Sequence, residues 1–431
     1  MAINFPSYTE IRNYVLCNFR LLYNCNDIEE NAIENIYCKH YGNYEITFRN
    51  IFSSEPKYIK WKNFSVPVFI YDENFKEEYS SNEKITFDIF LNSFLFLSGW
   101  QEWLSSTKDR HNRFSYKDSL QCKFDFVKLP VVNVYFEILK EILQKNGINI
   151  QNKKNNSQII LTHDIDSLNS GWLEDSAYYL KCFGLKSIYK IINILFNKFL
   201  LCNDSYFEAF RNLIELEKKH NVNSIYFFLS SKNSLDANYK LNNPKILKCT
   251  KQIFENGSLV AFHPGYDTSD NEYLFQKQLR IFNALFPKMP AKKVRQHFLK
   301  YDVRITSKIH EISNIEEDYS LGFAEQYGFR NCIANPFYLF RFDECRKSEV
   351  IEIPLFFMDG TLSHYLKDGK DKHFEEIIIL LQELKNNFNF CFSVLFHNTA
   401  FSDLKYNGFT SYYLKLIEWT KENNILFDVE I

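Results

Sequence analysis

No uncharged apolar run in the 431-residue sequence approaches the roughly 18–20 residues that a membrane-spanning helix needs. The nearest approach, Ile188 to Leu201, is broken by Lys190, Asn193, Asn197 and Lys198. Those breaks fall about one helical turn apart, which predicts an amphipathic helix packed on the rest of the protein. Peripheral attachment to a membrane surface is the alternative. The opening residues, MAINFPSYTEIRNYVLCNF, lack a basic stretch followed by an apolar one, so no secretory leader is expected. The 10 cysteines are scattered without a C-x-x-C pair, which argues against a cysteine-built zinc site and for free thiols in a reducing cytoplasm. A net charge of −2 supplies no basic field for nucleic acid. Methionine is scarce, at 3, while phenylalanine reaches 43, and most of those rings read as buried core.

What is present divides the chain in two. The polar stretch from Gln144 to Ser157, rich in Asn and Lys, is the best candidate boundary. It separates residues 1–150, read as a small α+β accessory domain, from residues 151–431. In the first part, Tyr44–Phe48 and Ser65–Ile70 read as strands, while Ile85–Trp103 and Val134–Leu143 read as helices. In the second part short apolar runs alternate with helical patterns. The runs are Ile159–Thr162, Ser224–Leu229, Leu259–His263, Lys293–His297, Ile351–Met358 and Cys391–His397. Helical stretches such as Phe207–His220, Ile246–Glu255 and Phe374–Asn386 lie between several of them. This alternation predicts an α/β fold with a mostly parallel sheet, open or closed into a barrel.

The informative feature is where the polar residues fall. Ile159-Ile160-Leu161 runs into Thr162-His163-Asp164-Ile165-Asp166, and Val260-Ala261-Phe262 into His263-Pro264-Gly265-Tyr266. Val294 leads to Arg295-Gln296-His297, and Val394-Leu395-Phe396 to His397-Asn398. Singly, each has a plain explanation: aspartates after a strand cap turns, and a lone histidine or arginine is often a satisfied structural group. Jointly they would meet on one face, because the carboxyl ends of parallel strands converge there.

These segments resemble the motifs of the polysaccharide deacetylases, the chitin-deacetylase-like carbohydrate esterases. The similarity extends over roughly residues 158–431 and is strongest to a bacterial subgroup reading THDxD, HPxY and RQH. Phe87–Phe90, Trp100–Trp103 and Asp109–Phe114 resemble the N-terminal accessory region of that subgroup. The resemblance implies a distorted (β/α) barrel and hydrolytic removal of an N-acetyl (or O-acetyl) group from a sugar or surface-polysaccharide precursor. It implies one divalent transition metal, zinc foremost, with cobalt, nickel or iron as substitutes. Asp164 would be the catalytic base, Arg295 its brace and His397 the general acid; Asp166 and His263 would hold the metal. Deacetylases of this kind carry a second histidine four residues after the first, where this sequence has Asp267. The third ligand is therefore Asp267 or His297, and the RQH motif favours His297. His163, beside Asp164 on a strand, should point to the opposite face and is the weaker candidate for the acid. Tyr266 and Asn398 are candidate substrate contacts. Two rival readings stay open: a metal-dependent amidohydrolase of a non-sugar substrate, and a non-catalytic carbohydrate-binding or assembly protein on the same fold.

Overall fold

A reciprocal cap starts the first helix: the Ser7 hydroxyl accepts from Glu10 N–H while the Glu10 carboxylate accepts from Ser7 N–H at 2.6 Å. That helix, α1 (Tyr8–Leu22), belongs to a computed structural model that describes residues 5–25, 44–80, 85–154, 156–232, 235–366, 368–402 and 405–430. Asp88 caps α2 (Ile89–Leu97), whose nine residues are all buried. The helical run expected to continue to Trp103 breaks at Gly99, where φ is 72°, and a short helix Trp100–Leu104 follows. Tyr44–Phe48, expected as a strand, instead lies in the helix Tyr44–Arg49. Helical spacing puts Tyr44 and Phe48 on one side, where both rings meet Phe5, and that packing outweighs the β-propensity of the segment. The hairpin of Lys57–Trp61 and Phe64–Val68 realises the expected second strand, and α3 (Val131–Lys145) the expected second helix.

From Gln158 onward strands and helices alternate. The run opens with β1 (Gln158–Ile165), then α4 (Gly171–Phe183), α5 (Ile188–Phe199) and α6 (Ser205–His220). It continues through β2 (Ser224–Leu229), α7 (Pro244–Glu255), β3 (Leu259–His263), α8 (Glu272–Leu285) and β4 (Lys293–Val294). Next come α9 (Thr306–Ile312), β5 (Glu317–Asp318), β6 (Phe337–Arg341), β7 (Arg346–Glu352) and β8 (Leu355–Met358). The chain ends with α10 (Lys370–Asn387), β9 (Cys391–Leu395) and α11 (Phe409–Glu422).

These strands form one sheet in the order β6-β7-β5-β4-β3-β2-β1-β9-β8, parallel throughout except for the β6–β7 pair. The sheet is strongly curled. Ile353 N–H donates to Asp318 and Leu355 N–H to Leu321, while the Pro354 carbonyl on the same run accepts from Ser393 N–H at 2.8 Å. One continuous segment, Arg346–Met358, thus borders β5 on one side and β9 on the other. Every residue of β1, β2 and β9 is buried, as expected for parallel strands covered by helices. The core does not stop at residue 150: Ile11, Phe94 and Leu139 belong to the same buried cluster as Phe340, Phe356 and Val394. Among the described residues no helix is long and apolar enough to cross a membrane. The segment expected to pack on the protein, α5, has no buried residue at all.

Candidate active site

The period of two along β1 separates two chemistries. Thr162, Asp164 and Asp166 turn inward, whereas His163 turns out toward the helices. There His163 sits fully buried, its Nε2 2.9 Å from Glu217 and its Nδ1 2.8 Å from the Phe396 carbonyl. It is a structural tie between β1, α6 and the end of β9, as its position beside Asp164 anticipated.

Inward, Asp164 receives a hydrogen bond from Arg295 Nη1 at 3.0 Å. Arg295 is itself wholly buried. It donates to Thr162 Oγ1 at 2.8 Å and to the Tyr319 carbonyl at 2.9 Å, and its guanidinium lies 4.7 Å from the centre of the Phe227 ring. A guanidinium fixed on three sides leaves Asp164 one orientation. The second carboxylate oxygen of Asp164 faces His263 Nε2 at 3.6 Å.

Asp166 stands at the centre. Its Oδ1 lies 3.4 Å from His263 Nε2, and its Oδ2 lies 3.7 Å from His297 Nε2 and 3.6 Å from His397 Nε2. Strand β4 ends at Val294, but the chain stays extended through Gln296, so Arg295 and His297 still face the same way. Immediately afterwards Phe298 and Leu299 both adopt left-handed backbone, with φ of 60° and 54°. Strain of this kind is held only where the surroundings demand it. Here Arg113 Nη1 donates to the Phe298 carbonyl at 2.7 Å.

Two carboxylates that the sequence did not single out orient the histidines. His297 Nδ1 lies 3.1 Å from Asp236, and His397 Nδ1 lies 2.6 Å from Asp359. Burial opposes the charged form of His297, but Asp166 and Asp236 outweigh it and push it up to about 9. Burial likewise opposes charge on His397, yet Asp359, with help from Asp166 and Asp164, takes it up to about 10. Burial acts on Asp166 in the opposite sense, but the charges of His297 and His397 hold it well below the ordinary carboxylate value.

Asp166, His263 and His297 each offer a ligand atom, and these atoms all lie within 4.8 Å of one another. The surroundings of His263 bear on whether they suit a cation. Its Nδ1 is bonded to the Arg295 carbonyl, which makes Nδ1 the donor and leaves Nε2 aimed at two carboxylates. Among the described residues neither His263 Nε2 nor Asp166 Oδ1 has a hydrogen-bond partner, and both atoms are buried. A positive charge between them relieves that arrangement, and imidazole plus carboxylate suits a divalent transition metal. Asp267 is exposed and is not part of the group.

Asp164, Asp166, His297, Asp359 and His397 open into a cavity of about 540 Å³. Its outer wall includes Arg110, His111 and Arg113 from the Asp109–Phe114 segment, together with Tyr365 and Tyr406. Two expected substrate contacts do not reach it. Asn398 is buried, donating to the Ser167 carbonyl at 2.7 Å, and its neighbour Thr399 lines the cavity instead. Tyr266 stands behind the wall, its hydroxyl 3.3 Å from His111 and its ring edge-on to Phe298.

A family model described as "Family of unknown function (DUF7033)" matches residues 7–148. No curated protein matches the chain. Among solved structures, the chain is similar to the chitin deacetylase from the fungal pathogen Colletotrichum lindemuthianum, with 11% identity, covering 63% of this chain and 84% of that one, at a TM-score of 0.33. It is similar to a family 4 carbohydrate esterase from Streptomyces lividans, with 6% identity over 61% of this chain and 90% of that one, at a TM-score of 0.28. A CE4-family pseudoenzyme from Bacillus anthracis aligns with 13% identity over 61% of this chain and 62% of that one, at a TM-score of 0.29.

Proposed function

We propose that the chain is a metal-dependent hydrolase that removes the acetyl group from an N-acetylated sugar or oligosaccharide. On this reading residues 151–431 form a distorted (β/α) barrel carrying the chemistry, and residues 1–150 an accessory region that walls the cavity. The observation that carries the proposal is that His263 Nε2 and Asp166 Oδ1, without a hydrogen-bond partner among the described residues, face each other beside an arginine-braced Asp164. The motif resemblance assigns the same residues to the same roles.

Asp166, His263 and His297 would hold the metal, which supplies a Lewis acid for the amide carbonyl and a nucleophilic water at neutral pH. Asp164 takes the proton of the attacking water, and Arg295 keeps its carboxylate aimed at the cavity. His397, protonated and held by Asp359, lies across Asp166 and donates a proton to the departing amine nitrogen. The C–N bond breaks, the water oxygen joins the acyl carbon, and acetate and amine leave. A cavity of about 540 Å³ accommodates one or two sugar rings and falls within the ordinary range of ligand sites.

The test is metal content together with turnover of N-acetylated chito-oligosaccharides. The wild type is expected to bind about one equivalent of zinc or cobalt. Asp164→Asn should keep that metal while turnover falls by roughly 10²–10⁴-fold. Protein that takes up no metal, or an Asp164→Asn variant as active as wild type, rejects the assignment.

A further inference from the structure

We infer that the hairpin of α4 and α5 is a membrane-surface anchor that seats the protein on a bilayer of anionic lipids. Among the described residues 21 large apolar side chains are exposed, and 11 of them fall between Leu173 and Leu201. Leu185 and Tyr189 are 81% and 80% exposed, and Leu200 is 69% exposed. Scattered apolar residues on a surface are ordinary; a concentration of them in one helical hairpin marks a contact.

Charge selects what covers it. From Ser176 to Asn203 there is no Asp or Glu, while Lys181, Lys186, Lys190 and Lys198 lie among the apolar residues. Lys198 is held by Asp204 at 2.9 Å; the other three are exposed and form no ion pair among the described residues. A chain of net charge −2 therefore concentrates uncompensated positive charge on its most apolar surface. A second copy meeting the same face would bring lysine against lysine, which disfavours self-association. Anionic headgroups above an acyl layer match both properties at once, with apolar side chains entering the interface and lysines staying at headgroup level. Neither helix is long and apolar enough to cross the bilayer, so the hairpin lies on it.

The hairpin is also tied to the cavity. Glu174 of α4 accepts from Lys405 Nζ at 2.7 Å, and Tyr406, the next residue, lines the cavity. Docking would therefore offer the cavity to acetylated saccharides carried on a lipid; that consequence, unlike the docking, rests on the deacetylase reading above.

Flotation with vesicles tests the anchor. Wild type should float with vesicles of phosphatidylglycerol and phosphatidylethanolamine and bind phosphatidylcholine vesicles at least about ten-fold more weakly. Ile192→Glu/Phe196→Glu and Lys186→Glu/Lys190→Glu, changed at residues outside the core, should each weaken flotation by about ten-fold or more. Both should keep the wild-type melting curve and the wild-type turnover of a soluble substrate. Asp164→Asn should float as wild type does, so a failed deacetylase reading leaves this result standing. Wild type that does not float, or variants that float equally well, overturns the anchor. An oligomer in solution that Ile192→Glu/Phe196→Glu disperses overturns it too, in favour of a second copy on the patch.

Discussion

Asp236 governs the candidate metal site without belonging to it. One of its oxygens accepts both from Tyr266 N–H at 2.8 Å and from His297 Nδ1 at 3.1 Å, so it fixes which nitrogen of His297 faces Asp166. Its carboxylate occupies the space that a Cβ on residue 265 would need, which explains why glycine follows Pro264. Loss of such an outer partner weakens metal binding by about 10–100-fold. Asp236→Ala should show that loss in a competition titration against a chelating dye, and an unchanged affinity would refute its role. Asp359 acts likewise on His397, whose raised pKa keeps it protonated through neutral pH. A proton donor is lost as pH rises through its pKa, so Asp359→Asn should move the alkaline limb of the pH–kcat/KM profile to lower pH. A limb that stays in place assigns the donor elsewhere. These two aspartates also mark how much the sequence revealed. Asp359 follows the apolar run Leu355–Met358, the signal that exposed Asp164, His263 and His397, and could have been found by it. Asp236 lies in the loop between β2 and α7, where no periodicity points at anything.

Among the elements, β2 and β3 have the bounds that their apolar runs suggested, because parallel strands buried on both faces are continuous hydrophobic blocks with polar edges. Edge and junction segments were harder. Ile351–Met358 reads as one strand, yet Pro354 divides it and its halves pair with opposite ends of the sheet. The helical period of Ile188–Leu201 is real, but period alone does not say whether an apolar face meets protein or something else. The root of that hairpin carries a stability prediction. Asp175 of α4 is buried and receives a hydrogen bond from the Ser205 hydroxyl at the start of α6. Burial dominates over that bond and raises its carboxyl to about 6, from an unfolded value near ~3.9. An acid whose pKa is raised by folding favours the native state fully below the unfolded value and loses that contribution as pH climbs through the folded one. Asp175→Asn has no such titration. Its urea midpoint, compared with wild type, should improve between pH 4 and pH 7; an equal offset at both values would show that Asp175 does not titrate this way.

The molecule as a whole turns on a pair that joins its two parts. Glu102 and Arg330 meet through two short hydrogen bonds, Nε to Oε1 at 2.7 Å and Nη2 to Oε2 at 2.6 Å, with both side chains almost completely buried. Trp100, Glu102 and Trp103 fall within one short helix, and no local pattern could name a partner 228 residues away. Nearby contacts follow the same path. Gln121 donates to the Arg330 carbonyl at 2.6 Å, Asn133 accepts from Ala334 N–H at 2.8 Å, and Asn18 accepts from Tyr338 N–H at 2.7 Å. Helix α1 thereby covers β6, the antiparallel edge that would otherwise expose its free backbone groups. With one apolar core running through both parts, residues 1–150 and 151–431 should unfold together. Removing one partner of a buried ion pair leaves the other charge uncompensated, at a cost of about 3–5 kcal/mol. Glu102→Ala should therefore lower stability by that amount in a single calorimetric transition shared by both parts. Two separated transitions, with only the first displaced by the substitution, would show instead that residues 1–150 fold as an independent domain.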